Sequence, residues 1–327
     1  MTKIMSNQKI KWVSISIFIS LFQSSLKFYA FSVTNSSSIF TDAVESIANV
    51  LASCFALYAV YLTNIPKDSN HPYGHGKIEF FSAAFEGSLI SLSGFFVLYH
   101  SILSIYHPIE IQAIQVGLKI TAFSMVLNFL YGNFLIQQGK KLNSITLDSD
   151  GKHLFYDSIT SLFIIIGLLL TKLIDSKLID PVLSIILSFY LIYSGFKIFR
   201  KSVAGLMDET NLKVFGEIAI KLNDFRRNSW IDIHNMRIIQ FGDKYNIDCH
   251  LTLPYYYNLE EAHDEVIKFE EAIKEITNQE TEIFTHSDPC IPTCCSICLV
   301  SDCIQRKDSF INKVGWSVEN LQKNQKH

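Results

Sequence analysis

The 327 residues are 49% hydrophobic and 18% charged, with a formal net charge of −3. So apolar a composition excludes a wholly soluble chain of this size, and so large a charged share excludes one buried in a membrane throughout. The negative balance offers no basic footprint for nucleic acid, and that partner class is set aside.

Apolar runs fill residues 1–204, near 12–31, 38–62, 80–106, 116–136, 153–173 and 183–199. Each approaches the roughly 20 residues that cross about 30 Å of hydrocarbon. They predict six transmembrane helices in a lipid bilayer, with both termini on one side. The Lys/Arg bias of the short connections sets that side. Lys3, Lys9 and Lys11, then Lys67 and Lys77, Lys140, Lys141 and Lys152, and finally Lys197, Arg200 and Lys201 fall together. The opposite side holds Lys27, Lys172 and Lys177, and its His107-Pro108-Ile109-Glu110 turn has neither Lys nor Arg. Both termini are therefore expected in the cytoplasm. The first run is too long for a signal-peptide core and is followed by no small-residue cleavage site, so it is expected to be retained. A bacterial inner (plasma) membrane is the default, because no eukaryotic targeting signal or long His-rich loop is present.

Two of these runs carry polar residues at helical spacing: Asp42, Glu45 and Asn49 in the second, Asp150, His153 and Asp157 in the fifth. Residues three and four apart share a helix face, so each helix presents a strip of metal-ligand chemistry sideways. A charged side chain at the bilayer centre costs roughly 2.5–3.5 kcal/mol on insertion scales and is retained mainly along an ion or proton path. A hydrogen bond between helices is the competing explanation, and two matched strips favour the ion path over it. Asp42 and Asp150 suit either the entrance to a site or solvation of a helix end. Glu86, in the third run, fits a second proton carrier or a bundle hydrogen bond.

Beyond residue 205 the periodicity changes to that of a small α+β domain. Residues 211–227 have helical spacing, 231–241 and 245–253 alternate as strands around a Gly242-Asp243-Lys244 turn, 258–276 form a second helix and 282–285 a third strand. About eighty residues make a thin core that dimerisation or bound metal would strengthen. Five of the seven cysteines, Cys290, Cys294, Cys295, Cys298 and Cys303, follow within a short extension spanning 289–327. In a reducing cytoplasm such spacing reads as a thiolate metal site, most simply zinc held by four of the five, with an iron–sulfur cluster or free thiols as alternatives. The chain past Arg306 is polar and is expected to be loosely ordered.

Several motifs resemble the cation diffusion facilitator family of divalent-metal/proton antiporters. They are Ser38-Ile39-Phe40-Thr41-Asp42-Ala43-Val44-Glu45-Ser46, Asp68-Ser69-Asn70-His71-Pro72-Tyr73-Gly74-His75-Gly76-Lys77, and His153 with Asp157. In the tail, Asp248-Cys249-His250-Leu251, Glu261-Ala262-His263 and His286-Ser287-Asp288-Pro289 extend the resemblance, which covers about residues 10–288. It implies a homodimer, six helices per subunit, a ferredoxin-like cytoplasmic domain over 205–288, and export of a transition-metal ion against protons. It also implies a four-ligand transport site at Glu45, Asn49, His153 and Asp157, an accessory site at Asp68, His71 and His75, and a two-ion site between subunits at His234, His250, His263, His286 and Asp288. Lys77 matches a charge-interlock position whose acidic partner would be Asp208.

The transport positions depart from the commoner pattern, because Glu45 is long and Asn49 is neutral. Zinc is the first expectation for the cargo, iron or manganese the next, and cobalt a further one. Imidazole titrates near neutral pH, so metal and protons would compete for His153. A membrane-anchored metal sensor without transport is the alternative. An enzyme is not expected, since no general base or hydrolytic motif accompanies the ligands.

Overall fold

A computed structural model describes residues 2–106, 112–142, 144–174, 176, 178–242, 244–277 and 281–327. The expected 107–110 turn, Lys177 and the Asp243 turn position lie outside these residues. Two compact units divide the chain, Met1–Met207 and Asp208–His327.

Six helices of the first unit are long and apolar enough to cross a membrane. They are α1 (Thr2–Thr34), α2 (Ser37–Thr63), α3 (Ile78–Tyr106), α4 (Ile114–Lys141), α5 (Ile145–Ile174) and α6 (Ile179–Leu206). Polarity is inverted relative to a soluble bundle. Phe18, Leu92, Tyr99 and Leu173 are exposed, while Ser38, Ser161, Ser184 and Asn128 are buried between helices. Lipid is as apolar as leucine, so association relies on close packing and interhelical hydrogen bonds. Glycine allows that packing at two seams. A Cβ added at Gly132 of α4 would meet the Gly151 carbonyl of α5 at 2.9 Å, and one at Gly87 of α3 would meet the Gly195 carbonyl of α6 at 2.7 Å.

The helices that carry the polar strips are capped by acids from other helices. Asp180, in the first turn of α6, is buried and accepts from Ser37 N at 2.6 Å, from Ser36 Oγ at 2.9 Å and from Ser38 Oγ. It thereby satisfies amides at the start of α2 that have no partner within their own helix. At α5, Glu79 of α3 accepts from Ile145 N at 2.8 Å. That bond starts α5 eight residues before the expected 153, so Asp150, His153 and Asp157 all sit inside a regular helix. Asp180→Ala should destabilise the bundle by roughly 2–3 kcal/mol, the scale for removing charge-assisted bonds from buried donors. A melting temperature in detergent equal to wild type would show the cap to be dispensable.

Lys27 needs a correction. Counted above at a membrane surface, its side chain is 1% exposed and pairs with Asp42 inside the bundle. It therefore leaves the surface charge count, as does Lys9 on the other side, which is also buried.

The second unit runs α7 (Leu212–Asp224), β1 (Asp232–Phe241), β2 (Lys244–Leu253), α8 (Leu259–Thr277) and β3 (Thr281–Pro289). A 3-10 turn, Pro292–Ser296, and a short helix α9 (Val318–Gln322) follow. Asn211 caps α7 by accepting from Val214 N. β2 is the central strand, antiparallel to β1 and parallel to β3, which is the open-faced sheet of the expected ferredoxin-like fold. The core joins Phe215, Leu222, Trp230, Phe269 and Ile273 to Trp316 and Leu321. Those last two contradict the expected loose order beyond Arg306. A single tryptophan and a leucine bury enough apolar surface to hold a polar segment down.

Candidate metal centres

In the bundle, α2 supplies Glu45 and Asn49 one turn apart, and α5 supplies His153 and Asp157 with the same spacing. All four side chains are buried, none more than 6% exposed. Asn49 Nδ2 donates to Asp157 Oδ2 at 2.6 Å, and Asn49 Oδ1 accepts from His153 Nε2. His153 Nε2 lies 3.6 Å from Asp157 Oδ1. Ligand atoms of Glu45, His153 and Asp157 fall within 4.8 Å of one another, and Asp157 Oδ1 has no hydrogen-bond partner among the described residues. Two carboxylates, an imidazole and an amide thus face one point, a donor set suited to a first-row divalent ion and lacking any thiolate for Cu(I).

Further acids surround the set. Asp42 is not solvated at a helix end: it is buried, and Lys27 Nζ donates to its Oδ1 at 2.7 Å. Asp150 and Glu86 are buried, and Asp150 Oδ2 and Glu86 Oε1 lack hydrogen-bond partners among the described residues. A cavity of about 400 Å³ opens where α3 and α5 begin and α6 ends, lined by Asp148, Lys152, Tyr156, Tyr190, Lys197 and Lys201 among others.

The connection between α2 and α3 makes the expected turn, with Gly74 at φ +88°. Asp68 Oδ1 accepts from His71 N at 2.7 Å and Asn70 N at 2.9 Å, and these bonds hold its carboxyl below the ordinary carboxylate range. His71 Nδ1 is 3.1 Å and His75 Nε2 3.5 Å from the same carboxylate. The three side chains converge as a second possible metal cluster.

A third cluster lies on the sheet. Register places His234 opposite His250, and His250 opposite His286. The expected third strand ends at residue 285, but β3 continues to Pro289 because it pairs with β2 along its whole length, and this aligns His286 and Asp288 with the other ligands. A bulge after His234, with Asn235 at φ +50°, re-aims the end of β1. Asp288 Oδ2 is 3.0 Å from His250 Nδ1 and 3.3 Å from His234 Nε2, and Asp288 Oδ1 is 3.7 Å from His286 Nε2. Burial holds the His234 imidazole below its ordinary range. Burial pushes the Asp288 carboxyl up, but the hydrogen bond from His250 and the nearby Lys326 ammonium outweigh it and leave it below the ordinary value. His263 is exposed on α8, outside this one-chain cluster. Sequence reasoning missed Lys326, whose Nζ is 3.5 Å from Asp288 Oδ1, and His327, whose Nδ1 is 2.9 Å from Asp232 Oδ1. Nothing in a polar tail signalled either.

The five extension cysteines line one cavity of about 290 Å³ with Tyr255 and Tyr256. Arg306 folds the loop by donating to the carbonyls of Cys295, Cys298 and Val300. Cys294 and Cys298 pack on Ile231 and Ile297 in a small core. Burial pushes the Cys290, Cys294 and Cys298 thiols up. Among the described residues the cysteines do not form a group of three with sulfurs within 4.8 Å, so they ring the cavity without converging on a point.

Two family models match the chain. The cation efflux transmembrane domain covers residues 13–207, and the cytoplasmic domain of cation efflux proteins covers 217–290. An uncharacterized transporter of Synechocystis is 28% identical over 269 residues, 81% of this chain and 85% of that protein. The manganese efflux system protein MneP of Bacillus subtilis is 26% identical over 270 residues, 79% of this chain and 88% of its own. The cation-efflux pump FieF of Salmonella newport is 26% identical over 275 residues, 81% and 87%. With its spans and its soluble domain both matched, the chain belongs to the cation efflux, or cation diffusion facilitator, family: it is a multi-pass integral membrane protein of metal-cation efflux.

Proposed function

We propose that the chain exports a divalent transition-metal ion in exchange for protons, by alternating access of a homodimer, with Glu45, Asn49, His153 and Asp157 holding the ion in transit. The observation that carries this reading is the buried convergence of those four side chains from two membrane helices. Two carboxylates balance the charge of one divalent ion. When the ion leaves, protons on the imidazole and carboxylates would replace its charge, which couples the two fluxes. In this reading both termini face the cytoplasm across a bacterial inner membrane, and the cavity between α3, α5 and α6 would admit the ion from that side.

Zinc leads on the strength of the imidazole, and iron, manganese and cobalt follow. The oxygen-rich remainder of the set and the manganese exporter among the relatives keep manganese in the comparison. Asn49→Asp tests the ion assignment, because it adds a third carboxylate to the set. A shift of preference across zinc, iron, manganese and cobalt is expected, by roughly tenfold between the best and worst affected ions. An unchanged profile would remove Asn49 from the ligands.

The sheet cluster of His234, His250, His286 and Asp288 is proposed to bind cytosolic metal and tighten the dimer, with His263 serving a second copy from its exposed position on α8. The loop set of Asp68, His71 and His75 is proposed as an accessory site. Cys290, Cys294, Cys295, Cys298 and Cys303 are proposed to close on a thiophilic ion, zinc first. A sensor without transport needs only the soluble sites, and the buried set in α2 and α5 favours transport over it.

A further inference from the structure

Lys27 and Asp42 form an ion pair with Nζ 2.7 Å from Oδ1, and each side chain is 1% exposed. α1 brings the lysine and α2 the aspartate, three residues before Glu45. Burying either charge alone in hydrocarbon is costly, and apolar residues of similar volume commonly replace a buried pair without loss of stability. Stability therefore does not account for the pair. Its position does. Asp42 shares a face of α2 with Glu45, so the pair lies beside the ligand set.

We infer that Lys27 determines ion specificity: by holding Asp42 in an ion pair, it keeps a third carboxylate out of the ligand set in transit. This rests on the assignment of Glu45, Asn49, His153 and Asp157 as that set. With the pair intact, Lys27 and Asp42 cancel, and the cargo meets two carboxylates, one imidazole and one amide. Freed of Lys27, Asp42 would stand less than one turn from Glu45 as an uncompensated oxygen donor. An added carboxylate favours ions that accept more oxygen ligands, so manganese gains relative to zinc. Removing Asp42 instead leaves an ammonium beside the site, which repels every divalent ion alike. The two single substitutions thus act in opposite directions. Loss of packing alone would weaken binding in both.

The test uses the full chain in proteoliposomes, with zinc and manganese as separate probes and the apparent KM of uptake as the readout. Lys27→Met should lower KM for manganese relative to zinc by roughly tenfold, and Asp42→Asn should raise both by roughly tenfold, the scale for one buried charge left unpaired. The double variant should return the manganese-to-zinc ratio to its wild-type value. Both single variants moving the same way, or a ratio unmoved by Lys27→Met, would overturn the inference. Should Lys27→Met fail to assemble, Lys27→Gln frees the same carboxylate with a polar side chain and must likewise lower KM for manganese relative to zinc, an unmoved ratio overturning the inference. Asp157→Ala separates the two levels of the reading. An inactive Asp157→Ala beside an unaltered Lys27→Met sinks this inference alone, whereas an active one sinks the ligand assignment beneath it.

Discussion

Asp157→Ala is expected to abolish metal flux while leaving a folded protein. The side chain is 1% exposed, accepts from Asn49 at 2.6 Å and sits 3.6 Å from His153, so it joins α2 to α5 at the point where the ligands meet. It is one of two carboxylates in a set whose amide carries no charge. Substituting a residue that merely orients a metal ligand commonly costs 10–100-fold in affinity, and a direct ligand should exceed that, so transport should fall by more than about 100-fold. Alanine also removes bulk from a buried position, so assembly must be checked by gel filtration and helix content beside the flux. Uptake at the wild-type rate by a well-assembled variant would contradict the assigned site.

Serine at Cys294, Cys295, Cys298 and Cys303 is expected to remove one tightly held ion per chain and to leave the response of the His234, His250 and Asp288 cluster intact. The two sites should also differ in pH dependence. Burial holds the Cys290, Cys294 and Cys298 thiols above their ordinary range, so an ion must displace protons to bind them. Affinity there should fall as pH drops from about 8 to 6, by about tenfold per pH unit for each proton displaced. On the sheet, His234 lies below the imidazole range and Asp288 below the carboxylate range, so both already offer lone pairs near neutrality and the dependence should be flatter. Elemental analysis before and after substitution, with chelator competition at both pH values, measures each effect. Equal metal content in the two proteins would make the cysteines structural or redox residues.

The spans and both polar strips were legible in the sequence because hydrocarbon imposes length and apolarity, and because helical spacing places Glu45 with Asn49 and His153 with Asp157. The start of α5 was not, since Glu79 caps it from another helix across 66 positions of chain. Lys27 was misplaced for a related reason. Charge counting assigns a lysine near a helix end to the surface, and only the fold shows an aspartate on the next helix within reach. In the soluble unit, alternation located β1 and β2 closely, while the last residues of β3 depend on parallel pairing with β2, which leaves no local signal. Trp316 and Leu321 were hidden by the polar residues around them, although an isolated tryptophan in such a tail is itself a cue to docking. His263 matched a family motif yet is exposed on α8, apart from the cluster of His234, His250 and Asp288.

Metal uptake into vesicles reconstituted with the full chain tests the central claim most directly. Vesicles loaded with acid and exposed to zinc, iron, manganese or cobalt outside should accumulate at least one of these ions. Alkalinisation of the lumen should accompany uptake, and accumulation should collapse when an ionophore dissipates the proton gradient. No accumulation of any of the four ions, or accumulation indifferent to the gradient, would contradict proton-coupled export.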